Sequence, residues 1–277
     1  MCSSDLFGNR IPNITVELCR VVGELEPAMR SVTVIPGATE FGYDPEPRVR
    51  LVRPGETGNE NAHLSARRSN WSLSLDELTE LCPNLEHVGL VVAWFGSDLR
   101  CGDCRVEPKV EAASRTVRGT SWSVAGLSRG AAAIVSTHEG GPAYGGTPSD
   151  ASVRAAIADL KARGLAVTLY PMLLMDIPAG NPMGQPAYPW RGRISCEPAP
   201  GEVGTVDGTG AAAAQVTAFV GGTGDWGYRR FVRHYADLAA DAGADALVIG
   251  SEMRALTRLR DGAGGFPFVA ALRTLAA

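Results

Sequence analysis

The segment TPSDASVRAAIADLKARGLAVTLYPMLLMD, residues 147–176, contains a complete helix–strand unit. Thr147 to Asp150 are a capping sequence for a helix predicted over 151–163, and Gly164 follows as the residue that ends it. Residues 165–175 then form an apolar run that is typical of a buried strand. A buried strand directly behind a capped helix indicates a parallel α/β sheet.

The same pattern recurs on both sides of this unit. Further strands are predicted over 85–95, 132–137 and 244–250, and further helices over 72–81 and 225–242. Such a chain fits either an open doubly wound sheet or a closed (β/α)8 barrel. No G-x-G-x-x-G motif follows a strand, and polar residues follow several strand ends, so the barrel is favoured. About four βα units are visible where closure needs eight, which predicts a partial TIM-barrel-like domain.

The amino-terminal part of the chain has a different pattern. Residues 1–6 are expected to be an artefact or a disordered tail. Residues 7–70 are expected to form a small β-rich segment and a linker, with strands at 14–18 and 32–35. Residues 71–277 are expected to be the amino-terminal part of the barrel, truncated because the last predicted helix has no stop signal.

Composition limits the class of protein. The 277 residues are 45% hydrophobic, and 26 basic against 30 acidic residues give a net charge of −4. This is enough apolar surface for a large core, and the slightly acidic balance predicts no nucleic-acid-specific contacts. The longest apolar run, Val88 to Phe95, has eight residues, whereas a membrane span needs about 20. No membrane span and no secretory signal are therefore expected.

Glu252 is the strongest catalytic candidate, because it follows the last predicted strand by two residues. In a barrel it would lie at the mouth, where a carboxyl with a raised pKa could protonate a glycosidic oxygen. The structural alternative is an ordinary glutamate in the first turn of a helix. Arg254 could pair with Glu252 and contribute to substrate binding, or it could lie exposed.

Three more residues at strand ends are substrate-binding candidates. Asp176 could accept a hydrogen bond from a sugar hydroxyl or cap the following turn. Trp94 and Asp98 lie at the end of the strand predicted over 85–95, which we expect to be the first barrel strand. Trp94 could stack on the apolar face of a sugar, or it could be a core residue.

Other polar and aromatic residues remain open. His138 and Glu139 could form an acid–base pair or be surface loop residues. Trp190 and Trp226 could be binding aromatics or loop anchors.

Cys101 and Cys104 form a single C-x-x-C, without the second pair of similar spacing that a zinc ribbon needs. A local disulfide or a structural thiol pair is favoured over a metal-stabilised module, and no metal and no cofactor are predicted. Serine hydrolase, zincin and nucleotidase functions are unsupported, because the sequence has no G-x-S-x-G, H-E-x-x-H or Walker motif.

Several segments together resemble a known family. They are GGTPSD (145–150), AIADLK (156–161), TLYPMLLMDIP (168–178), WFGSDLRCGDC (94–104) and GSEMR (250–254). In this order they are similar to the glycoside-hydrolase-type TIM-barrel-like domain of gene transfer agent and phage tail proteins, the baseplate hubs also called host specificity proteins. FGNRIPN (7–13) is similar to a segment upstream of that barrel.

The resemblance implies a component of a phage-like particle, assembled in the bacterial cytoplasm and located at the tail tip. Its partners would be other tail and baseplate proteins and a cell-surface glycan. It also implies that Glu252 matches the general acid/base that follows the fourth strand in related sugar-cleaving barrels. The partner carboxylate after the seventh strand has no counterpart here, so we expect the chain to be catalytically incomplete.

Two functional hypotheses follow. The first is a structural or binding module that retains a hydrolase-like barrel for host-surface recognition and DNA delivery. The second is an active glycosidase that cleaves cell-wall or envelope polysaccharide, with Glu252 as general acid/base.

Overall fold

The computed structural model describes residues 21, 23–35, 40–65 and 67–277. The predictions for residues 1–6 and 7–13 and for a strand at 14–18 lie outside the described residues. The elements that follow are numbered in chain order.

The helices are α1 (Leu25–Ala28), α2 (Asn70–Leu81), α3 (Asp150–Ala162), α4 (Gly210–Val220), α5 (Tyr228–Ala242), α6 (Arg254–Arg258) and α7 (Pro267–Ala276). The longer strands are β1 (Ser31–Val34), β2 (Val49–Arg53), β3 (Glu56–Asn59), β4 (His87–Gly96) and β13 (Ala166–Met175). The two-residue strands are β5 (Val106–Glu107), β6 (Lys109–Val110), β7 (Thr116–Val117), β8 (Ser123–Val124), β9 (Leu127–Ser128), β10 (Ala133–Ile134), β11 (Thr137–His138), β12 (Gly141–Pro142) and β14 (Ala246–Leu247).

The central sheet has the order β1-β4-β13-β14, and each neighbouring pair is parallel. Helices α2, α3 and α5 lie in the three connections, so the chain alternates strand and helix as a TIM-barrel-like domain does. The predicted α/β class and TIM-barrel-like arrangement are therefore confirmed. One prediction about strand order is wrong. β4 was expected to be the first barrel strand, but it is the second strand of this sheet, because β1 pairs with its edge opposite β13.

The helix–strand unit over 147–176 forms as its sequence indicates. The Ser149 side chain caps α3 by accepting a hydrogen bond from the Ser152 backbone N–H at 3.3 Å. Gly164 ends the helix with φ +80°, a left-handed conformation that glycine adopts without a Cβ clash. The buried face of α3, which includes Val153, Ile157 and Leu160, packs against the sheet.

The two faces of the sheet differ in burial. In β13 the odd-numbered residues are buried among the helices, whereas the even-numbered residues, Met172 and Leu174 among them, are only partly buried. This corrects the prediction of a buried strand over 165–175: only one face of β13 is fully buried. We call the partly buried face, opposite the helices, the inner face. On it Met172 and Leu174, together with Ile35 and Val91, line an apolar cavity of about 280 Å³.

Short strands surround this sheet. β2 pairs antiparallel with β3 and with β7, and β5 pairs antiparallel with the end of β4. β6 pairs with β10, β8 with β9, and β11 with β12. The amino-terminal β-rich segment contributes β1 to the parallel sheet and β2 and β3 to the β3-β2-β7 sheet. The domain division at residue 70 stays a prediction.

Candidate functional site

The loop after β14 places Glu252 at the carboxyl-terminal edge of the sheet. The Val248 backbone N–H donates to the Leu169 carbonyl at 3.0 Å, so the chain continues along β13 beyond the two residues of β14. Glu252 then takes φ +56°, and its side chain is 46% exposed. It lines a shallow cavity of about 320 Å³ together with Arg254 and Leu272.

Arg191 reaches Glu252 from the long loop between β13 and α4. It begins a short 3-10 helix, Arg191–Arg193, and its Nη2 forms an ion pair with the Glu252 carboxylate. The same guanidinium donates to Ser251 twice, from Nε to the carbonyl and from Nη2 to the hydroxyl, each at 3.3 Å. Arg191 is 2% exposed, and burial lowers the pKa of its guanidinium. Its Nη1 is buried without a hydrogen-bond partner among the described residues.

Trp190 lies over this guanidinium. The Arg191 Cζ is 4.2 Å from the centroid of the indole ring, a cation–π distance, yet Trp190 remains 54% exposed. A Cβ built on Gly192 would lie 3.1 Å both from Trp190 Cδ1 and from the Glu252 carbonyl oxygen. Glycine at position 192 therefore allows the ring and the Glu252 loop to approach each other closely.

Asp98 is a structural carboxylate. It accepts hydrogen bonds from the Arg100 Nη2 at 2.7 Å and from the Gln185 amide at 2.6 Å, which ties the long loop to the end of β4. Burial alone would raise the pKa of Asp98, but these hydrogen bonds and the Arg100 charge hold it below its ordinary value. The predicted sugar contact at Asp98 has no support from this arrangement.

Asp176 is also occupied by the protein itself. Its side chain is 1% exposed and accepts from Lys109 Nζ at 2.8 Å and from Ser136 Oγ at 2.5 Å. The Ser136 backbone N–H donates to both carboxylate oxygens, at 3.1 and 3.2 Å. Buried partners take up its acceptor positions, which favours a structural role, and the sugar-binding role of Asp176 stays a prediction.

Trp94 is a core residue. It is 0% exposed, and its ring packs on Phe231 and His234 of α5 with centroid distances of 5.4 and 5.6 Å. Of the two roles left open for Trp94, the structure shows the core residue: its side chain points to the helix side of β4 and packs on α5. Trp226 packs on Trp94 and under Arg230, whose Cζ is 3.5 Å from the Trp226 ring, so it is a loop anchor.

The remaining candidates are exposed. Arg254 is exposed beside Glu252, and its binding role stays a prediction. His138 and Glu139 lie in an exposed turn, where His138 Nε2 is 3.8 Å from Glu139 Oε1.

Burial raises the pKa of the Cys101 thiol to about 12 and that of Cys104 to about 11. Both thiols are free. Among the described residues, no three His, Cys, Asp or Glu side chains are grouped to hold a metal ion.

The structure thus brings Glu252 and Arg254 to one cavity and places Asp98 and Asp176 in separate structural networks. Sequence analysis missed Arg191 as the partner of Glu252, and it left Trp190 unassigned. The adjacent Trp190-Arg191 pair in a glycine- and proline-rich loop was the available signal, but its contact with Glu252 spans about 60 residues of chain.

Fold and site together define a TIM-barrel-like α/β protein with a charged pair at the carboxyl edge of its sheet. Residues 226–277, which include Glu252, match the family model described as GTA TIM-barrel-like domain. No curated protein matches the chain significantly.

One similar solved structure is described as "Complex structure of GH113 beta-1,4-mannanase"; it is 16% identical, with a TM-score of 0.33 over 69% of this chain. The match spans 41% of that structure's own chain, and a TM-score this low supports no further conclusion. No helix among the described residues has the length and apolar character to cross a membrane.

Proposed function

We propose that this chain is a baseplate hub component of a phage-like or gene transfer agent tail, located at the tail tip. There its TIM-barrel-like module takes part in host-surface recognition and DNA delivery, with other tail proteins and a cell-surface glycan as partners. The observation that carries the proposal is the match of residues 226–277 to the GTA TIM-barrel-like domain. The resemblance of the segments at 94–104 and 168–178 supports the same assignment.

The geometry of the site favours binding over cleavage. A retaining glycosidase needs two carboxyl groups about 5–5.5 Å apart. In the described part of the chain, Glu252 is paired with a guanidinium, while Asp98 and Asp176 are held in their own ion pairs. An ion-paired, half-exposed carboxylate is suited to accept hydrogen bonds from a ligand.

The proposal is tested on particles from the source cells. An epitope tag on this protein, followed by density-gradient purification and immunogold electron microscopy, is expected to label one end of the tail. Cross-linking mass spectrometry is expected to recover tail proteins as neighbours. A tagged abundant cytosolic protein controls for carry-over, and recovery of this chain only in particle-free fractions would refute the proposal.

Glycosidase activity is the second candidate. It is favoured by the position of Glu252, half-exposed beside a cavity directly after the fourth strand of the sheet. If it is correct, Glu252→Gln lowers the release of reducing sugar from envelope polysaccharide at least about 100-fold, while Glu139→Gln, at an 86% exposed side chain, leaves it unchanged. Our binding proposal expects no turnover from either the unmodified chain or the variants.

A further inference from the structure

We infer that Trp190 and Glu252 form a subsite for an uncharged pyranose unit of a glycan; the choice of ligand class rests on the proposed function. Both side chains are exposed, 54% for Trp190 and 46% for the Glu252 side chain. Both contact the same buried residue, Arg191. A Cβ built on Gly192 would lie 3.1 Å both from Trp190 Cδ1 and from the Glu252 carbonyl oxygen, so an apolar ring and a hydrogen-bond acceptor lie near each other.

The exposure of Trp190 is unusual among the tryptophans of this chain. Trp71, Trp94 and Trp122 are 5% exposed or less, and Trp226 lies between Trp94 and Arg230. Removing the Trp190 ring from water would bury a large apolar surface, yet the fold leaves one face open. A ligand with a flat apolar face can cover it.

Arg191 acts as the positioning residue of this pair. Its guanidinium lies against one face of the Trp190 ring, and its Nη2 forms an ion pair with the Glu252 carboxylate. Two further hydrogen bonds to Ser251 hold it in place, and its Nη1 is buried without a partner among the described residues. Keeping a buried cation with an unsatisfied donor costs stability, which a function for the two exposed groups would explain.

The chemistry of the two groups selects the ligand. A pyranose has a face of C–H groups that fits an indole ring, and hydroxyl groups at its edge that donate to a carboxylate. The Arg191 charge is already neutralised by Glu252, so an anionic sugar would meet an exposed carboxylate without a free cation from Arg191. Neither subsite group is a cation, so the pair itself fits a neutral hexose unit better than a uronic acid; the exposed cation beside Glu252 is Arg254.

The test is a titration of the full chain with three oligosaccharide probes of equal length. These are the hexamers of β-1,4-linked glucose and of β-1,4-linked N-acetylglucosamine, and the hexamer of galacturonic acid. Isothermal calorimetry gives Kd, and tryptophan emission reports on Trp190 because it is the most exposed indole. We expect at least one neutral hexamer to bind and shift the emission to shorter wavelength, and the acidic hexamer to bind at least about tenfold more weakly.

Variants assign the binding to the subsite. Trp190→Ala is expected to raise Kd about tenfold and to abolish the emission shift, Trp190→Phe to raise Kd less, and Glu252→Ala to raise Kd about tenfold. Phe266→Ala is the matched control at another exposed aromatic, 48% exposed, and should leave Kd unchanged. Arg191→Lys should raise Kd and shift the emission of the ligand-free protein, which a change in stability alone would not do.

Three results would overturn the inference: no neutral hexamer binds, Trp190→Ala binds as tightly as the unmodified chain, or only the acidic hexamer binds. The Trp190→Phe variant and urea unfolding of each variant separate loss of binding from loss of fold. Binding by a chain that is absent from particles would refute the tail-tip proposal and keep the subsite. Location at the tail without binding would refute the subsite alone.

Discussion

Three carboxylates at strand ends have the same chemistry in the sequence and different surroundings in the structure. Asp176 is buried with Lys109, Asp98 is held by Arg100 and Gln185, and Glu252 is half-exposed with Arg191 beneath it. Only Glu252 keeps an exposed carboxylate. Burial and partners therefore leave Glu252, of these three carboxylates, as the one accessible to a ligand.

The buried Lys109–Asp176 pair makes a prediction about stability. Lys109→Met leaves Asp176 as a buried carboxylate without its cation, so the free energy of unfolding should fall by about 3 kcal/mol. Lys161→Met removes the partner of Asp245, an ion pair whose two side chains are 39% and 42% exposed, and should cost clearly less stability than Lys109→Met. Urea unfolding measures both, and equal losses would contradict the prediction.

Asp98 makes a prediction about pH. Its folded-state pKa lies below that of the unfolded chain, about 3.9, so its contribution to stability is full above that pH and is lost as pH falls through the folded-state pKa. The difference in unfolding free energy between the unmodified chain and Asp98→Asn should be constant above about pH 5 and shrink below about pH 4. Urea unfolding across a pH series checks this, and a difference that stays constant to pH 2 would show that Asp98 is not the group responsible.

At the scale of elements, helix ends give the clearest link between sequence and structure. Ser149 and Gly164 bound α3, and Gly243, with φ +75°, ends α5. Each glycine turns the chain directly into the next strand of the parallel sheet. The spacing of the βα units therefore depends on a few backbone positions.

Gly164→Ala tests this dependence. The added Cβ meets no atom within 4 Å, so the cost is the left-handed backbone alone, about 1 kcal/mol of unfolding free energy. Gly130→Ala, also with nothing within 4 Å but without a positive φ, is the matched control and should change stability by less than about 0.5 kcal/mol. Thermal unfolding followed by circular dichroism measures both, and the prediction fails if Gly164→Ala is as stable as the control.

At the scale of the whole molecule, the inner face of the sheet is only partly buried in the part of the chain that the structure describes. Among the described residues, β1 and β14 each pair with one strand only, and an apolar cavity of about 280 Å³ lies on the inner face. Ile35, at 64% exposure, lies at its rim. Unpaired strand edges and exposed apolar surface favour association.

We therefore expect the chain in isolation to self-associate through this face. Ile35→Lys should shift light-scattering mass toward the monomer, because a charge at the rim must be desolvated on association. Met183→Lys, at a loop residue that is 52% exposed, should leave association unchanged. A monomeric unmodified chain with a sharp, reversible thermal transition would contradict the expectation.

The local sequence was sufficient for α3, β4 and β13 and for the position of Glu252. It was not sufficient for the strand predicted over 132–137, which the structure divides into β10 and β11, neither of them in the parallel sheet. Capping residues, stop glycines and apolar runs act within a few residues of each other, so α3, β4 and β13 could be predicted, as could a carboxylate after the last strand. The face of β4 from which Trp94 projects could not be predicted. In an apolar run without apolar–polar alternation, the sequence does not mark which side of the strand faces the helices.

Only the tertiary structure decided which polar groups are free. Lys109 reaches Asp176 from β6, and Arg191 reaches Glu252 from the loop between β13 and α4, each about 60 to 70 residues away along the chain. Such ion pairs depend on how loops cross the carboxyl edge of the sheet, which no local pattern encodes. The sequence by itself therefore determined a TIM-barrel-like α/β arrangement and its candidate residues, while long-range packing determined that Trp190 and Glu252 both contact Arg191.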